Sequence, residues 1–168
     1  MFKTILILIS FIIISCSSYV KENVITDQSL YKNNLLEDYE LYEKANNHIE
    51  NKQLDLALKE LKKIEVLFPS SKFANKGMLV KAYIHFLKKD YEKTRVIAEN
   101  YKEYYPGSKD VVYANYLEAM TYYVLIKKPN FSQKNALTAL EKFNFILNAY
   151  PNSKYEIDII TKKQVISN

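Results

Sequence analysis

Three stretches of this chain carry apolar residues at helical spacing with polar residues between them: Leu54 to Leu67, Tyr91 to Tyr104 and Lys134 to Ala149. Each ends in the same punctuation, Phe68-Pro69-Ser70-Ser71, Tyr105-Pro106-Gly107-Ser108 and Tyr150-Pro151-Asn152-Ser153. A proline excludes the helical conformation from the residue before it, and the serine two places on is placed to cap the next helix. The prolines are separated by 37 and then 45 residues. The longer interval predicts an extended loop around Lys128–Gln133 inside the third unit. Helix pairs are expected over about 36–68, 72–104 and 109–149, followed by a lone helix over 154–168. Tyr155, Ile157, Ile159, Ile160 and Val165 give that helix an apolar complement able to cap a stack.

Side chains repeat as well as turns. Ala45, Ala82 and Ala119 occupy one small slot in the first helix of each unit, and His48, His85 and Tyr122 follow three residues later. Ala57, Thr94 and Ala139 each lie twelve residues before their proline. Small residues at these places let the two helices of a hairpin approach closely. A small residue, an aromatic slot three later, a second small residue and a terminal proline resemble the tetratricopeptide repeat, here without its tryptophan. The expected fold is all-α: a solenoid of three hairpins (36–71, 72–108, 109–153) and a C-terminal helix.

The N-terminal region has a different pattern. After Lys3, an uncharged run extends from Thr4 to Ser15 and meets the only cysteine, Cys16. The run is too short for the roughly 20 residues that span a bilayer. A basic start, an apolar segment and small residues at a cut site are the layout of an export signal. Ile13-Ile14-Ser15-Cys16 resembles the lipobox of bacterial lipoproteins, which implies cleavage after residue 15 and lipidation of Cys16. Several acyl chains on one residue would hold the protein stably at a membrane, with 16–35 as a polar tether. Ser17 after the cysteine resembles the signal for export to the outer membrane.

Composition narrows the remaining possibilities. Lys and Arg number 24 against 19 acids, and the two signs are interspersed, so no basic block suggests nucleic acid. A single cysteine allows no internal disulfide, and two glycines are too few for a hairpin-rich β protein. No nucleophile motif or phosphate-cradling loop is present, and no cofactor or metal is implied. His48 and His85 fill a repeat slot that Tyr122 fills elsewhere, which marks them as structural. Glu50, Asp55 and Glu118 read as solvated helix faces. The expected protein is not an enzyme.

Many of the 15 tyrosines fall on first helices. Slots three or four residues from the small position point into the concave face of such a stack. That registration places Tyr42, Asn46 and Ile49, then Leu79, Tyr83 and Phe86, then Tyr116, Met120 and Tyr123 along a trough suited to an extended or helical peptide.

The lipobox, tether and repeats together resemble the BamD family of outer-membrane β-barrel assembly lipoproteins. The likeness rests on Phe68-Pro-Ser-Ser-Lys-Phe-Ala74, on Val112-Tyr-Ala-Asn-Tyr-Leu117 leading to Tyr122-Tyr123, and on Phe131-Ser-Gln-Lys-Asn-Ala-Leu137 with Tyr150-Pro-Asn-Ser-Lys-Tyr155. It implies a lipid-anchored adaptor on the periplasmic face of the outer membrane, which binds targeting peptides of unfolded outer-membrane protein precursors and works with a BamA-like barrel subunit and other assembly subunits. The resemblance stops early in a fourth unit while the family has further repeats, which favours precursor recognition over docking to the barrel subunit. Other readings are an envelope tetratricopeptide lipoprotein of another kind (a secretin pilot or a cell-wall hydrolase adaptor), or the N-terminal part of a larger protein.

Overall fold

A computed structural model describes residues 37–126 and 132–167. The signal, Cys16, the tether and most of the long third-unit loop lie outside the described residues. Helices follow in the order α1 (37–50), α2 (Leu54–Leu67), α3 (Lys72–Leu87), α4 (Tyr91–Tyr104), α5 (Val111–Leu125), α6 (Ser132–Ala149) and α7 (Glu156–Ser167). Each of α2 to α7 packs on its neighbour in sequence, and α3 also reaches α5, whereas the backbones of α2 and α4 stay apart. The first helices α1, α3, α5 and α7 therefore form one layer and the second helices another, as in a tetratricopeptide solenoid.

The repeated small slots are the contact points of this packing. Ala45, Ala57, Ala82, Thr94, Ala119 and Ala139 are all fully buried. Around them lie three apolar clusters: Leu41, Leu61, Ile64 and Phe73; then Leu79, Tyr101 and Val111; then Phe143, Ile146 and Ile159. Each cluster draws on a hairpin and on the first helix of the next, so burial ties every unit to its successor.

The turns inside the first two hairpins are the same motif. Lys52 and Lys89 adopt left-handed backbone (φ 59° and 61°). The Lys52 N–H donates to the Ile49 carbonyl and the Gln53 N–H to that of His48, at 2.9 and 2.7 Å. Lys89 to Phe86 and Asp90 to His85 repeat the pair at 2.9 Å each. These are Schellman caps with lysine where glycine is usual.

Between units, Phe68 and Tyr105 leave the helix with nearly identical dihedrals (φ −132°, ψ 54° and φ −130°, ψ 52°), as residues before proline must. The serines that follow diverge. Ser71 caps α3 by accepting from the Phe73 N–H at 2.9 Å and donates to the buried Asp38. Ser108 accepts from the Asp110 N–H at 3.2 Å and bonds the Tyr101 hydroxyl at 2.8 Å. Ser153 does not act as expected: its hydroxyl is buried with no hydrogen-bond partner among the described residues. The Asn152 N–H is held instead by the Glu156 carboxylate at 2.8 Å.

Two further expectations are corrected. In α7 only Ile159 is buried, with Tyr155 and Ile166 packing partly on the stack, while Ile157, Ile160 and Val165 face outward. Glu118 is not a solvated carboxylate. It is only 7% exposed and receives Lys102 of α4 at 2.8 Å and Lys142 of α6 at 2.5 Å. Burial alone would raise its pKa, but these two lysines hold it below the usual carboxylate range.

Candidate peptide-binding surface

The first helices gather aromatic side chains into two groups. Near the N-terminal end, Phe73 sits between Tyr39 and Tyr42, with ring centres 5.6 and 5.2 Å away. The ammonium groups of Lys72 and Lys76 stand 4.9 and 5.9 Å from the Phe73 ring. At the other end, Tyr155 is stacked on Tyr116 at 4.4 Å and on Tyr113 at 5.8 Å, with interplanar angles of 17° and 18°. The Tyr116 hydroxyl donates to Asp158 at 2.6 Å. Burial, then the carboxylate of Asp158, pushes the Tyr116 phenol far up, and burial does the same to Tyr113. Both phenols therefore remain protonated donors at any physiological pH. Asp158 stays ionised, because bonds from Lys162 and Tyr116 outweigh the effect of its burial.

The nine residues expected to line a trough divide by environment. Tyr83 is exposed (37%) and lies between the two aromatic groups in chain order. Phe86 is half-buried against Tyr91 of α4, ring centres 5.6 Å apart. Tyr42 and Ile49 are half-buried on the first cluster, and Asn46, one turn from Tyr42 on α1, is half-buried beside them. Tyr116, Met120 and Tyr123 pack partly on the third cluster, Tyr123 beside Phe143 at 6.1 Å. Leu79 is corrected: at 4% exposure it is core, packed with Ala98, Tyr101 and Val111. The expected trough thus divides into two aromatic groups, and α3 carries Phe73 of the first and, ten residues on, the exposed Tyr83.

Phe73 and Tyr155 were absent from the expected set although both help build it. Their signal is in the repeat, since each follows a Pro-x-Ser-Lys step, at 69–72 and 151–154. Among the described residues no cluster of His, Cys, Asp and Glu is placed to hold a metal ion, and no helix is long and apolar enough to cross a membrane.

The sequence model of the YfiO family, described as outer membrane lipoprotein, matches residues 36–168. The chain belongs to the YfiO family. Relatives named outer membrane protein assembly factor BamD include one from Rickettsia prowazekii, 29% identical over 127 residues. That match covers 76% of this chain and 51% of the relative. The Buchnera aphidicola protein of that name is 27% identical over 157 residues, covering 86% of this chain and 62% of its own length. One from Caulobacter vibrioides is 24% identical over 127 residues, covering 76% and 42%. The chain spans about half the length of the curated relatives it matches. In YfiO terms, the described helices and the matched region coincide almost residue for residue.

Proposed function

We propose that this YfiO-family chain serves outer-membrane protein assembly as a non-enzymatic adaptor, lipid-anchored through Cys16 on the periplasmic face, and that its first-helix layer captures the targeting peptides of unfolded outer-membrane proteins. The observation that carries this reading is the pair of aromatic groups on the first-helix layer, with Lys72 and Lys76 beside one and Lys154 and Lys162 beside the other, and the exposed Tyr83 ring on α3. Aromatic rings with cations beside them suit a peptide that ends in an aromatic residue and a carboxylate. The names of the relatives support the wider role, and a BamA-like barrel subunit with other assembly subunits are its expected partners.

Fluorescence titration with a peptide ending in a β-barrel terminal strand tests the reading. Truncating Tyr83 and Phe86 to alanine is expected to weaken binding by about 0.5–1.5 kcal/mol per ring beyond lost area, with helical content retained. Replacing the peptide's last aromatic with serine is expected to weaken binding to the unmodified protein. Equal affinity for both peptides would overturn it.

A further inference from the structure

Two junctions between hairpins carry the same three-residue charge cluster with every sign reversed. At the first, Glu65 of α2 takes Lys62 at 3.4 Å from its own helix and Lys81 at 2.8 Å from α3. At the second, Lys102 of α4 takes Glu99 at 2.9 Å from its own helix and Glu118 at 2.8 Å from α5. Lys62, Glu65 and Lys81 map onto Glu99, Lys102 and Glu118 by the same shift of 37 residues that relates the first two repeats. The geometry is kept and the polarity inverted at all three positions.

Stability does not call for the inversion, because either polarity leaves every charge with its partners. The exposed Lys62–Glu65 pair contributes little, and the enclosed Lys102–Glu118 pair stabilises its junction whichever helix carries the acid. What polarity changes is the outcome of a wrong pairing. In a repeat protein every second helix presents a similar surface to every first helix, so α2 can meet α5 instead of α3, within a chain or between chains. In that register Glu65 faces Glu118, which lies at a site too enclosed to leave it solvated. In the converse error, α4 meeting α3 of another copy through its junction face, Lys102 faces Lys81. Correct neighbours attract and both wrong ones repel. Lys142 of α6 adds its own bond to Glu118, locking the second junction from the far side.

We propose that these inverted triads are an order code: they make the stacking sequence of the hairpins unique by penalising out-of-order and between-chain pairing. The third junction has Leu147 and Lys163 at the corresponding places, so the alternation does not continue there.

The test compares two variants of the full chain refolded from denaturant at rising concentration. One reverses only the first triad (Lys62→Glu, Glu65→Lys, Lys81→Glu), which keeps each pair but gives both junctions one polarity. The other also reverses the second (Glu99→Lys, Lys102→Glu, Glu118→Lys, Lys142→Glu), which restores opposite polarities at the same net charge. The first is expected to give a several-fold larger oligomeric fraction by size exclusion, and the second to return to the wild-type fraction. A gentler variant with glutamine at 62, 65 and 81 is expected to fall between wild type and the first, and it decides the matter should the first fail to fold. High salt is expected to raise the oligomeric fraction of the wild type itself. Equal oligomeric fractions across the variants, or a wild type indifferent to salt, would overturn the proposal.

Discussion

Glu118 shows how a single residue escapes a reading based on local pattern. Its partners Lys102 and Lys142 belong to other helices, so nothing within a helical turn signals that the carboxylate is enclosed. Replacing it with glutamine leaves two lysines facing a neutral amide in a site with little water. A loss of about 1–3 kcal/mol is expected in chemical denaturation, the range for a charged group deprived of its partner. The pH dependence has a definite sign. The folded-state pKa lies below the ordinary value of 4.5, so the stabilisation is complete above that value and fades as pH falls through the depressed one. Acid denaturation of the wild type is therefore expected to steepen below pH 4.5, and the glutamine variant is expected to lose part of that slope. Tyr83 and Leu79 teach a related lesson. Four residues apart on α3, one is open and one is core, although both satisfy the same spacing rule.

Helix pairing was legible in the sequence because it depends on small residues and prolines, whose effects are local and steric. Ala45, Ala82 and Ala119 marked the contact points, and Pro69, Pro106 and Pro151 marked the ends. The facing of α5 was not legible. That helix is packed by α3, α4 and α6 and stacked on by Tyr155, so it is apolar on several sides and its periodicity no longer separates groove from core. On α3 the sequence places Gly77 in mid-helix, where a Cβ would stand 3.3 Å from Leu61 Cδ2. The neighbouring groove between α2 and α4, about 390 Å³ and lined by Leu61, Met78, Ile97 and Tyr104, gives that leucine room to yield. Gly77→Ala is therefore expected to stabilise the protein by about 0.5–1 kcal/mol, the usual helical preference for alanine. A rise in the thermal midpoint checks it, and a fall would show that Leu61 cannot move.

Stability across the whole molecule follows from the one-dimensional order of its contacts. Helix α7 touches the stack mainly through α6 and the Tyr155 ring, whereas α3 to α5 are held from both sides. An element with few packed neighbours opens before those held from both sides. Hydrogen exchange of α7 amides is expected to outpace that of α3–α5, and Tyr155→Ala to speed it further while protection in α1–α4 holds. Uniform acceleration throughout would instead mean that the solenoid unfolds as one unit.

The paired Schellman turns bear on shape. Lys52 and Lys89 set the same wedge twice, with backbone that glycine would adopt at no cost and lysine adopts only under constraint. A glycine there would let each hairpin breathe about its tip, whereas a lysine leaves few alternative angles. The first two hairpins thus turn through one backbone geometry, held by the same pair of hydrogen bonds at each tip. On the proposed peptide-binding reading, a ligand would meet hairpins whose tips are already ordered, so little of its affinity would go into ordering them.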